Sequence, residues 1–169
     1  MSRQAWGEAI FWVTEAEAPV VNTIVDSRLF SDVIVPAAYM SDGRVLRLIV
    51  AGSYKATITS TIKLSLKLDG IVLAASGLIP TLASPDTKCW SAEYMIQTRA
   101  NGRNGVLLTF GDATVGLERQ LHSSSGLLNP ASVTKDLLVE QALGLYGQWG
   151  NADVGNVITG MTYVLESLN

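Results

Sequence analysis

The stretch "NPASVTKD" at 129–136 places Ser132 and Lys135 at the S-x-x-K spacing of serine β-lactamases and related esterases. There the lysine amine takes the proton of the serine hydroxyl, and the pair must sit on the first turn of a buried helix. The other parts of that machinery are missing: no K-T-G occurs in the chain, and Tyr146 stands in "YGQ" where a Y-x-N would be needed. His122 is the single histidine and lies beside Ser123, Ser124 and Ser125. A triad also needs a positioned acid and an oxyanion hole, which a lone histidine in a polar loop does not supply, so His122 reads as a solvated loop residue. One histidine and one cysteine leave only carboxylates for a metal, and Asp32, Asp42, Asp69, Asp86 and Asp112 lack EF-hand spacing. Neither G-x-x-x-x-G-K-[ST] nor G-x-G-x-x-G is present, so nucleotide binding has no basis. The expectation is a protein that is not an enzyme, with no catalytic residue, no metal and no cofactor.

Composition narrows the partners. Twelve basic against fifteen acidic residues give a formal charge of −3, which argues against a nucleic-acid groove, since that needs clustered positive charge. Only 16% of residues are charged while 48% are hydrophobic, so part of the surface is expected to be covered by another body, through oligomerisation or docking. A chain of 169 residues has one domain's length and can bury a core without staples. Cys89, the single cysteine, excludes an intramolecular disulfide and is expected to be a small packed hydrophobe. The opening "MSRQAWGEAIFWV" carries Glu8 before a run of five apolar residues. That is too short for a signal h-region or a membrane span, and neither a targeting segment nor a membrane contact is expected.

The elements that must position any site read as strands. In 61–77, "TIKLSLKLDGIVLAASG", apolar residues alternate up to an Asp-Gly pair and again beyond it. A two-residue type I′ turn at Asp69 and Gly70 sets Leu68 opposite Ile71, Leu66 opposite Leu73 and Leu64 opposite Ala75. These six and Ile62 then share an apolar face, and Thr61, Lys63, Ser65 and Lys67 share a wet one. Residues 44–54, "RVLRLIVAGSY", read as a central strand. Residues 90–99 alternate Trp90, Ala92, Tyr94 and Ile96 against Ser91, Glu93 and Gln97, and pair through "ANGRNG" with 106–115. "ALGLYGQW" and "NVITGMTYVLE" read as a third pair joined by "GNADVG"; 20–25 and 29–35 look extended, and one helical turn is expected near 135–142. About eight antiparallel strands bounded by turn signals predict an all-β fold, an antiparallel β-sandwich of jelly-roll type.

An N-terminal arm, 1–19, precedes the sandwich domain, 20–169. Trp90 and Trp149 sit at strand ends among apolar neighbours and are assigned to the core. Trp6, Ile10, Phe11, Trp12 and Val13 make the arm apolar, which is more useful laid on a partner than left in water. The polar loop "LERQLHSSSGLLNPAS", which holds His122, is the other candidate contact.

The order of "SDVIVPAAYMSDGRVLRLIVAGSY", "TIKLSLKLDGIVLAASG", "WSAEYMIQTRANGRNGVLLTFG" and "LGLYGQWGNADVGNVITGMTYVLE" resembles a jelly-roll module of tailed-bacteriophage structural proteins. The resemblance spans 29–166, and its pieces are packing and turn devices. It implies a virion protein made in the host cytoplasm, a homotrimer that binds the major capsid protein outside the shell as a decoration or cement protein. The alternative it implies is a head or tail fibre domain, or a receptor- or carbohydrate-binding module. Lacking a collagen-like or coiled-coil stalk, the chain is expected to be a stand-alone capsid-bound protein, with Trp6, Ile10, Phe11, Trp12, Val13 and His122 as its partner contacts.

Overall fold

The computed structural model of the chain describes residues 8–13, 18–116, 125–126 and 129–168. All regular structure among them is strand, in two antiparallel sheets. The strands are β1 (Glu8–Val13), β2 (Val20–Val21), β3 (Ser27–Arg28), β4 (Val33–Val35), β5 (Val45–Ala56), β6 (Ser60–Leu68) and β7 (Ile71–Ala75). They continue as β8 (Ile79–Thr81), β9 (Ser84–Ala100), β10 (Gly105–Val115), β11 (Ser125–Gly126), β12 (Asn129–Lys135), β13 (Gln141–Trp149) and β14 (Val157–Ser167). The eight-stranded sheet runs β1-β14-β5-β9-β10-β11, with β2 on β14 and β12 on β10; the six-stranded sheet runs β3-β13-β6-β7, with β4 on β13 and β8 on β6. Both sheets bury one face in a single apolar core. The expected sandwich is therefore present, with more strands than the sequence marks: β3, β8 and β11 are two- or three-residue pieces too short to show alternation, and β1 and β12 lie in segments read as arm and loop.

β5 is central, paired with β14 on one side and β9 on the other. Leu46, Leu48, Val50 and Tyr54 point into the core, as do Trp90, Ala92, Tyr94 and Ile96 of β9. β9 and β10 form the expected hairpin, from Val106 opposite Ala100 to Val115 opposite Trp90. Trp90 and Trp149 are both fully buried, as their apolar neighbours imply. The Trp90 indole lies over Gly52 and donates from Nε1 to the Thr159 carbonyl at 3.1 Å. A Cβ at Gly52 would run into that carbonyl oxygen and the indole, so only glycine leaves the ring its place.

Several expectations are corrected. Asp69 and Gly70 both have positive φ, 44° and 77°, and Leu68 faces Ile71, as a type I′ turn requires. One residue on, however, the ladder slips: Lys67 faces Val72 but Leu66 faces Ala74, leaving Leu73 as the extra residue of a β-bulge. Ser65, not Leu64, therefore faces Ala75, Leu73 and Ala74 are buried consecutively, and Ile71 is exposed. Nor is Ser65 wet. It is fully buried beside its cross-strand neighbour Tyr146. Lys67 Nζ sits 4.4 Å from the Tyr146 ring centroid and 2.8 Å from Asp26 Oδ2, and Arg28 Nε donates to the Tyr146 hydroxyl at 3.1 Å.

β13 and β14 are not a hairpin. They belong to opposite sheets, and 150–156 carries the chain across the sandwich. Each buries alternate side chains whichever sheet it joins, so alternation alone could not separate a hairpin from a crossing. The expected helical turn near 135–142 is the end of β12, a bend and the start of β13; Gln141 Nε2 fixes the bend by donating to the carbonyls of Asp136 and Val139. Cys89 is exposed, because Trp90 beside it points inward and successive strand residues alternate.

Residues 8–13 of the expected arm form the edge strand β1, paired along β14 from Glu8 opposite Ser167 to Val13 opposite Tyr163. Gly52→Ala is expected to lower the unfolding free energy by about 1–3 kcal/mol, the cost of overpacking a filled core. Urea denaturation measures this, and an unchanged midpoint would refute the tight fit at Gly52.

Candidate functional site

Ser132 and Lys135 both lie on β12, where residues three apart point to opposite faces. Ser132 is exposed, while Lys135 Nζ pairs with Asp69 Oδ2 at 3.1 Å, so the structure does not bring the two together. Asp69 is otherwise occupied by the neighbouring strand: its Oδ1 accepts from the Ala142 amide and its own amide donates to the Ala142 carbonyl, both at 2.8 Å. The Ala142 amide first, and Lys135 further, hold the Asp69 carboxyl below its ordinary range, against the opposing effect of desolvation. Among the described residues no group of three or more His, Cys, Asp or Glu could hold a metal ion, and no helix is long and apolar enough to cross a membrane.

Of the expected contact residues, Trp6 and His122 lie outside the described residues. Ile10, Trp12 and Val13 are placed by backbone register only, with Trp12 opposite Val164 and Val13 opposite Tyr163. Phe11 is half-buried in this chain's own core, its ring edge-on to Tyr163 with centroids 5.8 Å apart. Tyr163 in turn meets Phe30 edge-on at 5.2 Å, and burial, aided by the charge of Asp32, raises the pKa of its hydroxyl. Beside Phe11 and Leu165, the span from Asp32 to Pro36 and Tyr39 line a cleft of about 410 Å³ between β1 and β4.

What sequence reasoning missed lies at one end of the sandwich. The chain segments at 22–26, 57–59, 82–83 and 150–156 meet there, because β5, β8 and β13 end and β3, β6, β9 and β14 begin at that end. Asn156, fully buried, is the hub. Its carbonyl accepts from the Asn22 amide at 3.2 Å, and its Oδ1 accepts from the Thr57 amide at 3.2 Å. Its amide donates to the Asp153 carbonyl at 2.9 Å, and its Nδ2 donates to the Asn151 carbonyl at 3.3 Å. Asp153 Oδ1 accepts from the Thr57 hydroxyl at 2.5 Å and the Gly155 amide at 2.9 Å. Apolar side chains stand in solvent at this end: Val154 is 81% and Val25 67% exposed, and Val21, Ile24, Ile58 and Leu82 are exposed with them. The signal was present in "GNADVGN", whose Asn and Asp suit backbone-bonding turns, but its partners are distant in sequence.

A second feature lies on the outer face of the eight-stranded sheet. Register sets Thr162, Ala51, Ser91 and Thr114 in one row across β14, β5, β9 and β10. These small side chains, with Cys89 and Met161 beside them, line a depression of about 400 Å³. Arg47 lies further along the same face, paired with Glu93 at 2.8 Å and Glu166 at 3.7 Å.

No protein-family model matches the chain, and no curated protein matches it. Among solved structures it is similar to the CBM2 module of the evolved Dit of Lactobacillus casei BL23 phage J-1, at 8% identity over 96% of each chain and a TM-score of 0.40. It is also similar to lectin I of Ulex europaeus, solved with the methyl glycoside of α-L-fucose, at 8% identity over 95% of this chain and 98% of the lectin, with a TM-score of 0.37. Both are β-sandwich proteins.

The Thr57 hydroxyl first, and the Gly155 amide second, hold the Asp153 carboxyl below its ordinary value of 3.8. A lowered folded-state pKa stabilises the tie above the unfolded value and loses that contribution as pH falls through the lowered one. Hydrogen exchange at the Gly155 amide should stay protected at pH 5 and lose protection as pH falls below 3.8. Protection independent of pH would show that the carboxylate does not hold the loop.

Proposed function

We propose that this chain is a structural protein of a phage virion that acts by contact, binding the outside of the major capsid shell as a decoration protein and stabilising it. The observation that carries this reading is the tied end of the sandwich, where hydrogen bonds to Asn156 and Asp153 hold segments with exposed Val21, Ile24, Val25, Ile58 and Val154, and Leu82 is exposed at the same end. An apolar surface already held in shape binds with less ordering cost than a loose one. Covering it on a shell, or in a homotrimer on that shell, adds burial that exists only in the assembled state and stabilises the assembly by mass action. The resemblance to tailed-phage jelly-roll proteins supports the same reading. Trp6, Ile10, Trp12, Val13 and His122 remain in the proposed contact set, whereas Phe11 packs on Tyr163 of its own chain.

A second reading, a carbohydrate-binding module of the virion, is favoured by the uncharged, hydroxyl-bearing depression on the eight-stranded sheet.

Co-sedimentation with shells of the phage that encodes the chain tests the first reading. Val154→Glu combined with Ile24→Glu should weaken shell binding at least about tenfold, since it charges surface that must lose water on docking. The melting temperature should hardly change, because both sites are exposed. Light scattering of the free protein should give three chains. Absence of the wild type from the shell pellet, or unchanged binding by the double variant, would overturn the docking surface, and a monomer at high concentration would overturn the trimer.

A further inference from the structure

We infer that the depression on the outer face of the eight-stranded sheet is a binding site for a neutral saccharide, held across the strands by Thr162, Ser91 and Thr114. This rests on the second reading above and names its site and ligand class. The strands follow one another at about 4.8 Å. A ligand lying across them therefore meets the Thr162 hydroxyl on β14, the Ala51 methyl on β5, the Ser91 hydroxyl on β9 and the Thr114 hydroxyl on β10 in turn. Among the described residues none of the three hydroxyls is spent on an intramolecular hydrogen bond. Ala51 and the exposed Met161 offer apolar surface to the C–H face of a sugar ring, and the hydroxyls can each donate and accept, which suits a polyol.

Charge and pairing select against other occupants. No charged side chain lines the depression, so it offers no cation to hold phosphate or another polyanion. An extended peptide would need a free strand edge for its main-chain hydrogen bonds, and β5 and β9, which form the middle of the depression, are each paired on both sides. Only side chains face outward here. Exposed Cys89, the chain's single cysteine, lies at the depression and serves as a reporter on it.

The test uses the full chain, titrated with neutral oligosaccharides of glucose, galactose and N-acetylglucosamine and followed by amide NMR. One series should produce saturable shifts centred on Ser91, Thr114 and Thr162 and slow the alkylation of Cys89 by a bulky maleimide. Thr114→Val, which keeps the shape and removes one hydroxyl, should weaken binding about fivefold, the loss of one hydrogen bond. Ser91→Tyr, which fills the depression, should abolish binding, and the melting temperature of each variant reports that it is folded. No shift with any series at millimolar concentration, shifts centred elsewhere, or binding that survives both substitutions would overturn the site. Shell co-sedimentation of the same samples separates the two readings: a failed titration leaves shell binding standing, and a failed sedimentation leaves the saccharide site standing.

Discussion

Two sheets share one apolar layer, and everything else in the molecule follows from filling it. A strand has two faces, and in this sandwich one must meet the opposite sheet. Trp90 shows how tight the layer is. Its indole takes the space above Gly52 and satisfies its N–H on the Thr159 carbonyl, joining β9, β5 and β14 through one side chain. Trp149 fills the layer from the six-stranded sheet, fully buried where β13 meets β6 at Ile62.

Because alternate residues are committed to that layer, the remainder are delivered to surfaces in fixed rows. On the eight-stranded sheet the rows change character with register, from Thr162, Ala51, Ser91 and Thr114 to Val164, Ile49, Glu93 and Asp112 and then to Glu166, Arg47, Met95 and Phe110. The face therefore passes from a shallow hydroxyl-bearing depression to a charged ridge within three rows. On the six-stranded sheet, Asp26, Arg28 and Lys67 gather around Tyr146, beside buried Ser65. At the end of the sandwich the same economy appears in Asn156, whose side chain and backbone satisfy four partners and hold apolar side chains outward. Buried core and exposed surface are thus products of one frame.

Much of the fold was legible as alternation. The Trp90, Ala92, Tyr94 and Ile96 face, the central strand β5, the β9–β10 hairpin and the type I′ turn at Asp69 and Gly70 are local patterns, and each stands where the residues put it. Even the exposure of Cys89 was implied once Trp90 was assigned inward, although cysteine's usual burial pointed the other way. The bulge at Leu73 was not legible, because "IVLAASG" has no polar residue among its first five to mark the slip. The surface at 22–26, 57–59, 82–83 and 150–156 was not legible either, since its parts are up to about 130 residues apart and nothing local says that they meet.

The residues by themselves determined strand, turn and face, and they placed Trp90 and Trp149 inside, because those properties follow from period-two alternation and from the backbone freedom of glycine at a turn. Only the tertiary structure decided which strands are neighbours. It put β13 and β14 in opposite sheets, made β1 an edge strand, separated Ser132 from Lys135 and bonded Asn156 to two distant segments, at Asn22 and Thr57. The physical reason is that alternation records how much of a strand is buried and not what it is buried against. Hydrogen-bonded edges and contacts between sheets depend on how distant segments fill one shared volume.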